Sequence, residues 1–389
     1  MLHQLKKIID RWFVAPSSGV HFDLFDGLRG LAIVMVVLAH GLYANPDGSK
    51  VFLMVSKMAA MGTLGVPIFF VLSGFLLSLP FFRGREQNPA FWYHPGFANR
   101  RLLKIIPPFY LVILALLLIN YPLYHDPVYF KLGLAWATGV AHFVWFEKPL
   151  NGSFWSLWVE IGFYVVLPFL FLALSGRNIK TTGWVLFALL IAGACLSRFI
   201  FWQGPEVEPS QWHFVTSRFP SSLDTFAWGI LFAAFYLPRS RDPEHWRHLG
   251  RFGYLGMAIL VGAALLIFLC EHYAKKGAAP GRWEVEMRHF LPGIGAFFLL
   301  FFVFDAGCLA ARIFAAPAMR FLGIVSYEWF LIHQPAQHFY RLWTNGSQGS
   351  FLRYFCIVGS SAVFSLALAA LIYHQFSLPI MKWGRAKMR

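Results

Sequence analysis

The sequence predicts an all-α polytopic membrane protein with about ten transmembrane helices and both termini in the cytoplasm. Of its 389 residues, 58% are hydrophobic and only 13% are charged, whereas ordinary globular domains carry roughly 25% charged residues. A soluble fold of this length has too much surface to hide that apolar excess. A spanning helix needs about 20 residues, so the chain has room for about ten spans and for no large soluble domain.

The predicted spans are ten apolar windows. They cover residues 28–44, 58–82, 105–121, 154–174, 183–202, 221–237, 254–270, 290–304, 321–340 and 351–376. Lys6, Lys7 and Arg11 precede the first window, but no apolar signal-peptide core follows them. We therefore expect the first window to be retained as a span.

The charges between the windows predict the orientation of the chain. The basic segments are 6–11, 83–104, 177–180, 239–251, 312–320 and 382–389, and they alternate with connections that lack basic clusters. Because Lys and Arg favour the cytoplasmic side, both termini are predicted inside. We expect a cytoplasmic segment at 1–24, a membrane domain at 25–378 and a basic cytoplasmic tail at 379–389.

Residues 131–146 are also apolar, but a span there would place every later basic connection on the outer side of the membrane. We expect instead a helix that lies at the outer membrane interface or dips part-way into the bilayer. Aromatic residues, which favour that interface, are frequent here. They are Phe130, Trp136, Phe143, Trp145 and Phe146.

The formal net charge is +15, from 33 Lys and Arg against 18 Asp and Glu. The basic residues lie in short runs between spans, where they set topology, so nucleic acid is excluded as a partner. The cysteines are far apart and show no metal-ligand spacing, so we expect small buried side chains and no metal site. They are Cys195, Cys270, Cys308 and Cys356.

The first span carries two ionisable residues, which are costly inside a bilayer. Arg29 stands at its inner end, and His40 lies 11 residues further on, about 16 Å along the helix axis. Eleven residues are close to three turns, so both side chains share one face. Arg29 could alternatively be an anchor that reaches the headgroups, and His40 a buried neutral imidazole bonded to a carbonyl.

The fourth span contains Glu160, placed by the predicted topology in the outer half at a depth similar to His40. We expect the two to pair, because a carboxylate can fix the imidazole tautomer and stabilise its protonated form. Alternatively, Glu160 bonds to Ser or Trp groups of neighbouring helices as a packing element.

The ninth span places His333 beyond its midpoint, toward the outside. The sequence leaves two interpretations open: a site residue, or a donor to a backbone carbonyl that Pro335 frees.

Three cations precede the third span: Arg100, Arg101 and Lys104. They could be ordinary topology signals or a clamp for phosphate groups, for which Arg offers bidentate contacts and Lys a point charge.

Together these motifs resemble the membrane-integral acyltransferase 3 family of bacterial inner-membrane O-acyltransferases. The resemblance extends from the first span to the ninth and is specific in combination. It rests on Phe25 to Gly30 with His40, Gly65 to Phe75, Arg100-Arg101-x-x-Lys104-x-x-Pro107, Ser153 to Leu157 with Glu160 and Phe163-Tyr164, and Ser326-Tyr327 with His333 and Pro335. Pro67 and Lys104 depart from the family pattern, which has an acidic residue and a second Arg there.

The resemblance implies the stand-alone form of the family, in the bacterial inner membrane. It implies an acyl-coenzyme A donor, most simply acetyl-coenzyme A, and a hydroxyl of a polysaccharide, lipopolysaccharide or other glycoconjugate as acceptor. His40 would act as general base, or carry the acyl group, and Glu160 would assist it. The binding residues would be Arg29, Arg100, Arg101, Lys104, His333, Ser156 and Tyr327. Membrane lipid and envelope biosynthesis proteins are the other expected partners.

Two other functions fit the same residues. Intramembrane His, Glu and Arg also occur in proton-coupled transporters and flippases, although no inverted repeat is visible. A non-catalytic subunit of a polysaccharide assembly machine would use its polar residues only for helix packing.

Overall fold

The protein, described here from a computed structural model, is helical wherever its structure is described. The described residues are 23–42, 54–55, 57–58, 61–93, 96–124, 127–144, 150–201, 218–273, 282–344 and 351–387, and they contain no strand. Eight of their helices are long and apolar enough to cross a membrane. The predicted class, an all-α polytopic membrane protein, is confirmed.

Fourteen α-helices are numbered here in chain order within those residues. They are α1 (Asp23–Gly41), α2 (Gly65–Gln87), α3 (Phe97–Tyr124), α4 (Pro127–Thr138), α5 (Phe154–Ala173), α6 (Ile179–Phe201), α7 (Leu223–Arg239), α8 (Phe252–Tyr273), α9 (Arg282–Leu299), α10 (Leu309–Phe314), α11 (Pro317–Ile324), α12 (Ser326–Trp343), α13 (Phe351–Ile372) and α14 (Leu378–Lys387). Short 3-10 segments lie at Met61–Leu64, Val140–His142, Arg247–Arg251 and Leu300–Phe304, and a π-helical turn at Tyr373–Ser377 joins α13 to α14.

Two of the ten predicted windows fall on helices that length and composition do not mark as spans. Window 221–237 is α7, which has only 17 residues and packs against α2, α6 and α9. Window 321–340 falls on α11 and α12, and α12 carries Glu328 and His333 among its buried residues. Both α7 and α12 bury much of their surface against other helices, and such burial permits a shorter or more polar helix within the bundle. The exact number of spans stays a prediction.

The segment predicted at the outer interface forms a short helix. Helix α4 has 12 residues, about 18 Å at 1.5 Å per residue, which is too short to cross a hydrocarbon core of about 30 Å. It packs on α3, buries Leu132 and Trp136, and exposes Phe130 and Leu134. Trp145 and Phe146 lie outside the described residues.

The basic connection predicted at 83–104 is largely helical. Helix α2 continues to Gln87 and α3 begins at Phe97, so only a short connection separates them. Arg85 is buried and donates to the carbonyl oxygen of Leu174, at 2.9 Å, and to that of Phe171. Arg85 therefore provides hydrogen bonds to carbonyl groups at the C-terminal end of α5, in addition to its positive charge on the predicted cytoplasmic side.

Helices α2 and α7 cross without a layer of side chains between them. A Cβ added at Gly74 would lie 2.2 Å from the carbonyl oxygen of Phe226, and one at Gly229 would lie 2.0 Å from that of Val71. Small residues permit such close approach between membrane helices. The crossing holds α2 against α7.

A buried ion cluster joins α6, α7 and α9. The Arg198 guanidinium lies 2.9 Å from the Asp224 carboxylate and 2.7 Å from that of Glu286, and it also donates to the carbonyl oxygen of Ser221. Arg198 is only 2% exposed and Asp224 only 1%. Removing one member would leave buried charge without compensation.

His142 attaches the α4 region to the segment before α7. Its Nε2 accepts a hydrogen bond from the Phe219 backbone N–H at 3.0 Å, so this nitrogen is unprotonated. Burial, with a smaller effect of the Arg218 charge, lowers the pKa of His142 from 6.5 to about 4. The neutral form is therefore favoured in the folded protein.

We predict that Arg198→Met destabilises the purified protein by about 3–5 kcal/mol, because Asp224 and Glu286 lose their buried counter-charge. Thermal and denaturant unfolding in detergent measure the effect. The control is Arg241→Met, since Arg241 is 69% exposed where it pairs with Glu86, and we expect a change below about 1 kcal/mol there. Equal effects of the two substitutions would contradict a structural role for the cluster.

We predict that stability falls as the pH is lowered from about 6.5 toward 4. The unfolded His142 takes up a proton first, because its pKa in the folded protein is the lower of the two, and the contribution lost is about 3 kcal/mol. The unfolding temperature at pH 7 and pH 4.5 measures this. His142→Gln keeps an acceptor but does not titrate, so it should lower the pH dependence; an unchanged dependence would contradict the assignment.

Candidate active site

Helices α1, α2, α5 and α12 line a partly open cavity. Four residues predicted for the site lie in its wall: Arg29, Ser156, Glu160 and Tyr327. The complete lining is Arg29, Val66, Phe69, Phe70, Ser73, Ser156, Leu157, Glu160, Ser326, Tyr327 and Phe330. Residues from four separate parts of the sequence therefore meet in one internal space.

The cavity is polar at one end and apolar at the other. On α2 the order is Ser73, then Phe70 and Phe69; on α12 it is Tyr327, then Phe330. Arg29 on α1 and Glu160 on α5 belong to the polar end, and we call this the inner end because it is the side of the basic connections. The opposite, outer end is formed mainly by apolar and aromatic side chains.

Glu160 is held at the inner end by two hydroxyl groups. Ser73 Oγ donates to Glu160 Oε1 at 2.9 Å, and the Tyr164 hydroxyl donates to the same oxygen. Tyr164 is one helical turn further along α5, and Ser73 reaches across from α2. The second oxygen, Oε2, has no hydrogen-bond partner among the described residues.

The predicted pairing of His40 with Glu160 is wrong. His40 Nδ1 lies 3.1 Å from His333 Nε2, and the two ring centroids are 5.0 Å apart. His40 stands in the last turn of α1, whereas Glu160 is six residues into α5, about 9 Å along the axis from the first turn. That first turn is level with His333, because the Gly152 N–H donates to Gln334 Oε1 at 2.9 Å.

The hydrogen bonds around the histidine pair fix the tautomers. His333 Nδ1 lies 2.8 Å from the Phe330 carbonyl oxygen, so Nδ1 carries the hydrogen and Nε2 accepts. His40 Nδ1 lies between that acceptor and the Val36 carbonyl oxygen at 2.9 Å, so it also carries a hydrogen. His40 Nε2 is left with a lone pair and has no partner among the described residues. It can gain a proton without disturbing the bonds at Nδ1.

The alternative role considered for His333, binding the carbonyl that Pro335 frees, is also wrong. A proline at 335 deprives the Leu331 carbonyl of its usual helical donor. That carbonyl instead accepts a hydrogen bond from Asn151 Nδ2 at 2.7 Å. Asn151 therefore repairs the helix, and His333 remains available to His40.

A group of cations stands at the inner end of the cavity. Arg101 and Lys104 lie in the first turns of α3 rather than in a loop, and both are within electrostatic range of Arg29. Carboxylates lie within the same range, Glu160 for Arg101 and Glu328 and Asp26 for Lys104. Arg29 Nε is buried without a hydrogen-bond partner. Among the described residues these three have no ion pair within 4 Å. Arg100, the fourth predicted cation, is exposed.

Two predicted site hydroxyls already have protein partners. The Tyr327 hydroxyl donates to the Ile105 carbonyl oxygen at 2.7 Å, which joins α12 to α3. Ser156 Oγ donates to the Ser153 carbonyl oxygen at 3.2 Å within the first turn of α5. Both residues line the cavity, and their hydroxyl hydrogens are donated to backbone carbonyl oxygens.

Ser73 and Tyr164 were not predicted as site residues. Both stand in motifs that carry the family resemblance, and Tyr164 could also have been found from the helical period, since it follows Glu160 by four residues. Ser73 had a weaker signal, a polar residue within an apolar helix. Their contact depends on how α2 and α5 pack, which spacing within one helix does not give.

The fold is that of a polytopic membrane protein, and its cavity carries an arginine and a carboxylate at one end. Comparison with known sequences is more specific: the model of the acyltransferase domain family matches residues 22–370. The chain therefore belongs to this acyltransferase family, as the sequence motifs predicted.

Several named proteins are similar to the chain. A provisionally named O-acetyltransferase of Staphylococcus aureus (strain COL) is 23% identical over 382 residues, which cover 92% of this chain and 57% of that protein. The acyltransferase MdmB of Streptomyces mycarofaciens is 24% identical over 223 residues, 54% of this chain and 50% of MdmB. The peptidoglycan O-acetyltransferase OatA of Listeria monocytogenes is 28% identical over 164 residues, 37% of this chain and 23% of OatA.

The chain spans only slightly more than half the length of the Staphylococcus relative. No solved structure gives a significant match.

We predict that the cation group binds a polyanion. Inorganic pyrophosphate should raise the unfolding temperature of the purified protein, and less so at high salt, which screens charge. Arg101→Gln should weaken binding roughly 10- to 150-fold, since a hydrogen bond to a charged group contributes about 1.5–3 kcal/mol. Arg251→Gln, an exposed cation on another connection, is the control; equal losses in both variants would contradict a specific site.

Proposed function

We propose that the protein is a membrane-embedded O-acyltransferase. It transfers an acyl group, most simply acetyl, from acyl-coenzyme A on the cytoplasmic side to a hydroxyl of an envelope glycan or glycolipid. The observation that carries the proposal is the cavity itself, which has cations at its inner end and a histidine with a free ring nitrogen beyond its outer end. The family membership supports the class of reaction.

The donor would bind with its phosphates at the inner end. Arg29, Arg101 and Lys104 lack bonded counter-ions among the described residues, and phosphate groups would supply them. The pantetheine arm, which is narrow and carries amide groups, would extend toward the outer end. Glu160 Oε2 is free to accept a hydrogen bond from an amide N–H. In this proposal Glu160 belongs to the donor site and does not assist His40 directly.

The acceptor hydroxyl would be activated by His40. Its Nε2 takes the hydroxyl proton while the oxygen attacks the thioester carbonyl carbon, and the C–S bond then breaks. The departing thiolate receives the proton from Nε2, so the products are the ester and free coenzyme A. General base catalysis of this kind contributes about 10²–10⁴-fold.

His333 is a positioning residue in this mechanism. Its Nε2 accepts from His40 Nδ1, which holds His40 in the tautomer with the lone pair at Nε2. A neutral imidazole stabilises the protonated His40 less than a carboxylate would. His40 therefore returns its proton readily, as transfer to the leaving thiolate requires.

The acceptor class is inferred from the relatives. One is named a peptidoglycan O-acetyltransferase and another an O-acetyltransferase, so a glycan hydroxyl is the simplest acceptor. A lipid-linked or envelope glycan would approach His40 from the outer side, while the donor reaches it from the inner side.

The central test compares cells that contain the protein with cells that lack it. Mass spectrometry of surface glycans and lipids should show an added acyl group only when the protein is present, and the mass difference identifies the acyl group and the acceptor together. Purified protein should also release thiol from acetyl-coenzyme A. Uptake of a solute driven by protons, with no acyl transfer in either assay, would instead support a transporter.

We predict that His40→Ala lowers acylation at least about 100-fold, since the general base is lost. His333→Ala should reduce kcat with a smaller effect on KM and should change the pH profile, because the tautomer of His40 is no longer fixed. His338→Ala, one turn nearer the end of α12 and exposed, is the matched control. Near-normal acylation by the His40 variant would exclude this mechanism.

A further inference from the structure

We infer that Phe69 and Phe330 set the length of the acyl chain and restrict the donor to short acyl groups, with acetyl the best fit. This inference rests on the proposed function, because it assigns the outer end of the cavity to the acyl group of the thioester. It goes further by naming the residues that select the donor.

An aromatic contact lies at the outer end of the cavity. The rings of Phe69 on α2 and Phe330 on α12 meet edge to face with centroids 6.4 Å apart. Both side chains are partly buried and line the cavity. Val66 and Leu157 complete this apolar end, which we call the aromatic roof.

The aromatic roof is directly connected to the histidine pair. The Phe330 ring lies 5.8 Å from that of His333, and its carbonyl oxygen accepts from His333 Nδ1. For its carbonyl carbon to approach His40, a thioester that extends from the cationic end would therefore have to place its acyl group between the two rings. The gap between the rings then decides which acyl groups fit.

The aromatic side chains beside the roof are packed against one another and leave little room for a longer acyl chain. Phe70 stacks on Phe226 at 4.6 Å and meets Trp155 edge to face at 6.2 Å. Phe226 in turn stacks on Phe163 at 4.2 Å. Because protein interiors are close-packed, a longer acyl chain could enter only by displacing Phe69 or Phe330.

Each methylene that an apolar pocket admits or rejects changes discrimination roughly 10- to 200-fold. We expect the native protein to bind acetyl-coenzyme A at least tenfold more tightly than hexanoyl-coenzyme A. Phe330→Ala and Phe69→Ala should each reduce that ratio at least tenfold, because they open the roof. Phe330→Leu and Phe69→Leu should change it in the same direction but less.

The experiment is calorimetric titration of the purified full-length protein with coenzyme A and its acetyl, butyryl and hexanoyl thioesters. The matched control is Phe339→Ala, also partly buried on α12 but outside the cavity, which should keep the native ratio. The Leu variants retain most of the packing and serve if the Ala variants do not fold.

The outcomes separate this inference from the proposal on which it rests. If none of the coenzyme A compounds binds, the proposed donor is wrong. If acetyl- and hexanoyl-coenzyme A bind the native protein equally, or if the roof variants keep the native ratio, the donor stands but the selection by Phe69 and Phe330 is excluded.

Discussion

Inside a bilayer, a polar side chain without a partner costs several kcal/mol, and the arrangement of this protein depends on that cost. Most of its buried polar groups meet the requirement in pairs or clusters. Arg198 is bound by two carboxylates, and Asn151 replaces the donor that Pro335 lacks. Arg29 Nε is one of several buried polar atoms without a hydrogen-bond partner among the described residues, and Arg29 alone of the cations lines the cavity.

The site separates its charges by depth. Arg29 and Glu160 share the inner end of the cavity without an ion pair between them, and Ser73 and Tyr164 both donate to one oxygen of Glu160. The histidine pair lies beyond the aromatic roof, and its hydrogen bonds join it to backbone carbonyls instead of carboxylates. A base far from fixed negative charge stays neutral more easily, whereas cations grouped together favour an anion. Two different chemical environments are thereby kept within one helical bundle.

The helices could be predicted from the sequence, because a long apolar segment satisfies its backbone hydrogen bonds inside a membrane by forming a helix. Arg29 and Glu160, which line the cavity, could be picked out because ionisable residues are rare inside spans, whereas Tyr327 came only from the family resemblance. The partner of His40 could not be predicted. The start of α5 lies level with His333, so Glu160, six residues further along α5, lies deeper than His40. Contacts across 293 positions depend on the rotation and offset of packed helices, which periodicity does not encode.

The aromatic roof lies on the boundary between two blocks of helices. On one side, α2 is locked to α7, since Gly74 and Gly229 leave no layer of side chains between them. On the other side, Asn151 and Gly152 tie the start of α5 to α12. Phe69 belongs to the first block and Phe330 to the second, and the hydrogen bond from Ser73 on α2 to Glu160 on α5 joins the blocks directly. The distance between the two rings is therefore set by contacts on both sides of the roof, so a substitution that shifts either block changes the roof as well.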